Sequence, residues 1–461
     1  MRLLIIGFAF GSALRLAIAQ DTPEKELAHS VLKELIEIDT SDPLGDNTRA
    51  AEAMAARFRG AGFAPSDIHV LAPADRKGNV VVRFHGKDAS RKPILFMGHL
   101  DVVAARREDW SRDPFKLIDE DGYYYGRGTQ DMKSDDALLV TTFLRLKKEG
   151  FVPARDLILA LTADEEVGHN NGVQWLLKEH RDLIDCEYAI NADAGGGQIK
   201  NGKRELMGVQ AAEKTYATYH LDVRNPGGHS SLPTTENAIY QLADALGRLE
   251  KFTFPAKLNE VTQSFFERMG AITKDDTAAD FRAVSHTPPD AAAVERLSRQ
   301  PYYNAQLRTT CIPTELKAGH SENALPQLAE AVVNCRILPN DSAQMVEDAL
   351  RRVVADPKVE ISPTAEVLPS PFSPLRPDVL NAITGAVESV WGRLPVVPLM
   401  ETGATDGKFL RIAGVPVYGV SALFLDIDDI RAHGRDERVP KQSFYDGVRF
   451  DYELVKRLAS E

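Results

Sequence analysis

His99 and Asp101 stand two residues apart at the end of an apolar run, and residues of these types can do chemistry. The run Ile94-Leu95-Phe96-Met97 enters after Pro93 and stops at Gly98, the pattern of a parallel strand buried on both faces. In an extended segment the spacing puts both side chains on one side, at the strand end where open α/β sheets carry ligand chemistry. An imidazole there can bind a metal ion through one nitrogen while a nearby carboxylate holds the other and fixes the tautomer.

Further stretches end in the same kinds of residue. A glycine-punctuated loop, Tyr125-Gly126-Arg127-Gly128-Thr129-Gln130, delivers Asp131 and opens a helix. It lacks the Gly-Lys-Ser/Thr of a phosphate loop. The apolar run from Leu157 to Thr162 ends in Asp164-Glu165-Glu166, and Tyr188-Ala189-Ile190 leads to Asp193. Near the C-terminus, His433 lies in Arg431-Ala432-His433-Gly434. One strand-end acid is ordinarily a solvated cap, but several strand ends presenting metal-type ligands are a pattern.

The elements that must position these residues follow from periodicity. Helices are predicted over 24–38 and about 47–59, a strand over 78–86, and a helix after Lys133 with Leu138, Leu139, Phe143 and Leu144 buried. Strands alternating with helices predict a mostly parallel sheet covered on both faces. After about Gly208 the character changes. Thr215 to Val223 alternates like a half-exposed strand, and a loop carries Gly227-Gly228-His229-Ser230-Ser231. A helix from about Asn237 to Glu250 is predicted to bury Ile239, Leu242, Leu246 and Leu249, and residues 252–307 form a polar, partly helical insertion. A strand over 330–338 and a helix over 341–354 complete a separate α+β unit. The first pattern returns from about Ser362, with a helix over 377–391, a glycine-rich loop at Glu401-Thr402-Gly403, a strand over 415–420 and a last helix from about Lys441.

Composition sets the outer bounds. The chain has 461 residues, 43% hydrophobic and 26% charged, which suits a globular protein of two or three domains. A formal net charge of −12 without a long basic run argues against a nucleic-acid partner. Residues 1–19 read as a cleaved secretory signal: a basic start, a short apolar run and Ala17-Ile18-Ala19. That predicts an exported protein, periplasmic or secreted, with no membrane association after signal removal. Of the three cysteines, Cys311 with Cys335 is one available pairing, and buried free thiols are at least as good a reading; Cys186 is the third.

Taken together and in this order, His99, Asp101, Asp131, Glu165-Glu166, Asp193 and His433 resemble the M20 family of zinc exopeptidases over nearly the whole mature chain. The resemblance implies a zinc-exopeptidase-like α/β catalytic domain (20–207 and 362–461) interrupted by an α+β lid and dimerisation domain (208–361). It implies two zinc ions per subunit, with cobalt or manganese able to use the same ligands. His99 and Asp193 would hold one, Glu166 and His433 the other, and Asp131 would bridge them. Asp101 would orient His99, and Glu165 would be the general base acting on the water between the ions. His229 matches a histidine that reaches an active site, commonly of the partner subunit, to stabilise an oxyanion. Asn323, Arg336, Thr402 and Gly403 match substrate-contacting positions, and a homodimer is implied.

The donor set is chemically apt. Imidazoles and carboxylates suit zinc, and a neighbouring carboxylate outside the ligand set can carry the proton from water to the leaving nitrogen. Ser134-Asp135 after Lys133, Ala194 after Asp193, and Lys408 depart from the family's common residues without removing a ligand. The insertion over 252–307 looks most like the carboxypeptidase S-like branch. The implied activity is cleavage of an amide bond beside a free α-carboxylate, of carboxypeptidase or dipeptidase type on small peptides. The alternatives are hydrolysis of N-acyl amino acids, as by aminoacylases, and a non-catalytic metal- or peptide-binding protein.

Overall fold

A computed structural model of the chain describes residues 22–460. The expected signal segment, 1–19, lies outside the described residues. Two compact units share the chain: one takes the residues up to Val209, Arg376–Val396 and everything from Val415, and the other takes Gln210–Leu375 and Val397–Gly414. The second unit thus runs past the boundary read from the sequence at 361 and takes back the segment 397–414, which the sequence reading leaves in the catalytic part.

The first unit is built in chain order from α1 (Thr22–Glu37), α2 (Asn47–Gly60), β1 (Ile68–Leu71), β2 (Asn79–Phe84), β3 (Ile94–His99), α3 (Lys133–Lys148), β4 (Leu157–Thr162), β5 (Tyr188–Asn191), β6 (Gly196–Lys200), the first part of β7 (Lys203–Glu213, which the second unit takes from Gln210), α4 (Pro377–Trp391), β8 (Val417–Gly419), β9 (Phe424–Asp426) and α5 (Lys441–Ser460). Its sheet runs β1-β2-β4-β3-β5-β8-β7-β6-β9. β3 lies at the centre, parallel to β4 on one side and β5 on the other. The β1–β2, β2–β4 and β6–β7 pairs are antiparallel. All six residues of β3 and of β4 are buried, which explains their continuous apolar reading.

Helices cover the sheet through stripes at helical spacing. α1 buries Ala28, Val31, Leu32, Leu35 and Ile36, and α2 buries Ala50, Ala51, Met54, Ala55 and Phe58. α2 starts where the Asp46 carboxylate accepts from the Arg49 backbone N at 3.1 Å. α3 is packed all round: its buried residues include Ser134, Asp135 and Asp136 as well as Leu138, Leu139 and Phe143. Lys133 at its start is wholly buried, and its ammonium donates to the carbonyls of Leu35 (2.8 Å) and Ile38 (2.9 Å) at the C-terminal end of α1. Orphan carbonyls of one helix thereby fix the start of the next. Burial pushes this lysine down to about 8.

The second unit holds an antiparallel sheet in the order Thr310–Ala318, Leu328–Ile337, Thr215–Arg224, Val359–Pro363. The alternating strand Leu328–Ile337 sends Ala329, Ala331, Val333, Cys335 and Ile337 into a core shared with Leu242, Leu249, Val346 and Leu350. Ile239, expected in that core, is 42% exposed, because the buried face of Ala238–Glu250 runs through Ala238, Leu242, Ala245 and Leu249 instead. The segment 252–307 contains the helices Glu260–Ile272, Thr277–Val284, Ala291–Leu297 and Pro301–Leu307, packed around Phe265, Phe266 and Phe281. Cys311 and Cys335 stand directly opposite each other on neighbouring strands and are disulfide-bonded; Cys186 is a buried free thiol.

Candidate metal centre

Three parallel strand ends and two loops of the first unit build the site. His99 is the last residue of β3 and is 2% exposed. Its Nδ1–H donates to the backbone carbonyl of Asp101 at 3.0 Å, which turns Nε2 toward Asp131 and Asp193. The Asp101 carboxylate lies farther off, 3.7 Å from Nδ1. That carboxylate accepts instead from the backbone N of Glu165 (3.2 Å) and Glu166 (3.0 Å). Asp101 therefore orients the imidazole with its main chain and ties down the Glu165-Glu166 turn with its side chain.

The three acids after β4 divide their work. Asp164 is wholly buried at φ 68°, in the left-handed region that Asp tolerates better than most residues. Its carboxylate pairs with Lys77 and accepts from the Asn170 backbone N. Asp164 thus shapes the turn that presents Glu165 and Glu166. Asp193 follows β5, its N–H donating to the Asn191 side chain at 3.2 Å.

Around these points the side chains form two groups that share one member. His99, Asp131 and Asp193 bring ligand atoms within 4.8 Å of one another, and so do Asp131, Glu166 and His433. His99 Nε2 lies 3.1 Å from Asp131 and 3.3 Å from Asp193. His433 Nε2 lies 3.0 Å from Asp131 and 3.1 Å from Glu166. Glu165 belongs to neither group. Burial opposes charge on His99, but Asp193, Asp131 and Asp101 outweigh it and hold the imidazole well above its ordinary range. Hydrogen bonds that its ring donates to the Asp131 and Glu166 carboxylates push His433 up to about 10. Burial likewise opposes the charge of Asp131, and the two imidazoles overcome it, keeping the carboxyl below the usual range.

The five remaining site residues read from the sequence lie in the second unit and fall into two places. His229 and Asn323 meet at a short antiparallel ladder in which His229 faces Ala324 and the Ser230 N–H donates to the Asn323 carbonyl at 3.1 Å. Gly227 before it has φ 75°, and a Cβ there would come within 2.7 Å of the Gln327 side chain. His229 Nδ1 accepts from the Ser231 backbone N at 3.2 Å, so the ring proton sits on Nε2. Arg336 donates to the Thr402 carbonyl at 3.4 Å and to Asn334 Oδ1 at 3.3 Å, and its guanidinium lies over the Tyr216 ring. Gly403, next to Thr402, is exposed.

Three residues at these places carry no role in the sequence reading. Glu213, wholly buried, accepts from the N–H and the hydroxyl of Thr405 at 3.2 and 2.9 Å and pairs with Arg411, bracing the loop that carries Thr402 and Gly403. Gln130 and Glu437 link the Asp131 and His433 loops. The Glu-Lys pair after an alanine run, and a glutamate inside a mixed charge run, gave no periodic signal that marks burial.

Known proteins agree with this architecture. Residues 95–457 match Peptidase family M20/M25/M40. The chain is 30% identical to an N-fatty-acyl-amino acid synthase/hydrolase PM20D1 of Xenopus tropicalis, over 81% of this chain and 74% of that protein. It is also 30% identical to a probable carboxypeptidase S-like 2 of Dictyostelium discoideum, over 82% and 74%. Among solved structures, the M20 family metallo-carboxypeptidase Sso-CP2 of Sulfolobus solfataricus superposes with a TM-score of 0.68 at 17% identity, covering 93% of this chain and 98% of that one. The chain belongs to peptidase family M20/M25/M40 and is an enzyme of its metallopeptidase and amidohydrolase type.

Proposed function

We propose that this chain is a dinuclear metal hydrolase that cleaves an amide bond beside a free α-carboxylate. The carrying observation is the pair of three-residue groups that share Asp131. Three carboxylates and two imidazoles crowd there, and the negative charge exceeds what two imidazoles can balance. With both imidazoles neutral as ligands, two divalent cations would offset the three carboxylates, and one imidazole with two carboxylates per ion suits zinc, with cobalt and manganese as alternatives. His99, Asp131 and Asp193 would hold one ion, and Asp131, Glu166 and His433 the other. Bound there, the ions supply polarisation of the scissile carbonyl and acidify a water near neutral pH.

The residues of the chain do the rest. Glu165, outside the two ligand groups and with its backbone tied to Asp101, takes the proton of the attacking water and returns it to the leaving nitrogen. His229, with its proton on Nε2, has the donor form that stabilising an oxyanion requires. Arg336 is the residue for the α-carboxylate: burial pushes its guanidinium down, yet it stays charged and offers a planar fork.

Two substrate classes share this bond, small peptides cleaved at the C-terminus and N-acyl amino acids. The relatives at 30% identity carry names from both classes, which supports keeping both in the test. A panel of C-terminal dipeptides and N-acyl amino acids, run on zinc-loaded protein with a chelated control and with Glu165→Gln, separates them. Chelator-sensitive release of amino acid that Glu165→Gln abolishes supports the reading. Equal turnover by Glu165→Gln would overturn it.

We further propose export and a homodimer. The Cys311–Cys335 bond suits an oxidising compartment. No described helix is long and apolar enough to cross a membrane. The sheet of the second unit ends in the edge strand Thr310–Ala318, which exposes Ile312 and Leu316, and the helix Ala238–Glu250 exposes Ile239 and Tyr240. An apolar edge of this kind suits a second copy of the chain. The mass of the mature protein tests both points, by its N-terminus and by light scattering in solution.

A further inference from the structure

We propose that Glu437 and Gln130 are positioning residues, a reciprocal clasp that sets where His433 stands relative to Asp131. The proposal rests on the dinuclear reading above. His433 has little else to hold it. Its side chain is 53% exposed, its backbone sits at φ 61°, and its imidazole touches Asp131 and Glu166, the very groups with which it would share an ion.

The clasp has two arms. Glu437, wholly buried, directs its carboxylate at the loop that delivers Asp131. Oε2 accepts from Arg127 Nη1 at 2.6 Å and from the Gly128 N–H at 3.1 Å. Oε1 accepts from the N–H groups of Gln130 (2.6 Å) and of Asp131 itself (3.1 Å). Gln130 answers in the other direction. Its Oε1 accepts from the N–H groups of Arg431 (2.7 Å) and Ala432 (3.0 Å), and its Nε2 donates to the carbonyls of Arg438 (2.7 Å) and Asp429 (3.4 Å). Arg127 closes the ring by donating to the His433 carbonyl at 3.4 Å.

The bonding pattern explains the residue types. A carboxylate facing only donors cannot be replaced by an amide without setting one N–H against another, whereas the Gln130 position needs both an acceptor and a donor. Hydrogen bonds that orient ligands characteristically change metal affinity by about 10–100-fold when removed. Asp131 belongs to both groups and His433 to one, so loss of the clasp displaces two ligands of the Asp131–Glu166–His433 group against one of the group anchored on β3, and weakens the former more.

The test is a zinc titration of metal-free wild-type, Glu437→Gln and Gln130→Ala proteins, with free zinc buffered by a competing chelator. It is paired with amide hydrogen exchange of segments 128–133 and 429–438 in the metal-free proteins. The expected result is two zinc ions on the wild type. In each variant, the two steps weaken unequally, one by at least about 10-fold and the other by clearly less, and exchange is faster in both segments. Gln130→Ala leaves the Glu437–Arg127 pair in place and carries the test if Glu437→Gln does not fold. A general loss of stability would weaken both steps alike, and that outcome overturns the proposal, as do two unchanged steps. A wild type that binds no zinc defeats the dinuclear reading instead, and the clasp is then judged by exchange alone, unchanged protection in the variants overturning it.

Discussion

His99 and His433 hold opposite ends of one acidic cluster and are built in opposite ways. His99 ends a strand buried along its whole length, paired in register with β4 from Ile94–Leu157 to His99–Thr162, and its ring is oriented by a carbonyl two residues on. His433 stands on a loop between β9 and the short strand Arg438–Pro440, half exposed and placed by hydrogen bonds from another loop. The difference teaches that one half of the site is a product of the core and the other of polar bonding on its surface. A rigid half and an adjustable half suit a site in which one face must admit substrate and release product.

Variants can break this contrast or sharpen it. Glu165→Gln should cost the most, about 10²–10⁴-fold in kcat, with both zinc ions retained, because it removes the proton carrier and leaves both halves standing; kcat beside zinc content measures it. Asp101→Asn should cost about 10–100-fold in kcat with KM little changed, since one oxygen instead of two then faces the N–H groups of Glu165 and Glu166. A fall in zinc affinity at the His433 group alone would relocate its effect.

In metal-free protein, His99→Ala should lose about 1–3 kcal/mol in urea unfolding, and His433→Ala should stay within about 0.5 kcal/mol. Equal losses would erase the distinction between the halves. The smallest effect concerns pH. His433 is raised from 6.5 to about 10 by Asp131 and Glu166, so in metal-free protein its imidazolium stabilises fully below about pH 6.5. That contribution disappears as pH rises through about 10. Being half exposed, it is small, and His433→Ala should flatten the stability curve over that window.

The two halves also differed in how far sequence could reveal them. β3 and β4 are legible because burial on both faces writes continuous apolar runs, and His99, Glu166 and Asp193 are legible because they follow such runs; α3 shows as a stripe at helical spacing, and Asp131 as the acid that a glycine-punctuated loop delivers before it. The metal role of His433 comes from the family resemblance, since no periodicity marks a loop histidine. The Glu437–Gln130 clasp was illegible: Arg435-Asp436-Glu437-Arg438 reads as a solvated charge run, and only long-range hydrogen bonding shows that Glu437 is buried. The exposure of Ile239 follows from a helix face rotated toward Ala245 and Leu249, a choice that small residues in the stripe disguise. The placement of 397–414 with the second unit depends on contacts such as Glu213 with Thr405 and Arg411, between residues about 190 positions apart in sequence. The disulfide depends in the same way on strand register, which places Cys311 opposite Cys335.

The most direct measurement is hydrolysis of an N-acyl amino acid and of a C-terminal dipeptide by metal-free protein as zinc is added in measured equivalents. No turnover is expected without zinc, and turnover of at least one substrate should reach its plateau at two ions per chain. A plateau at one ion, or full turnover in the presence of chelator, would contradict the shared-Asp131 dinuclear site.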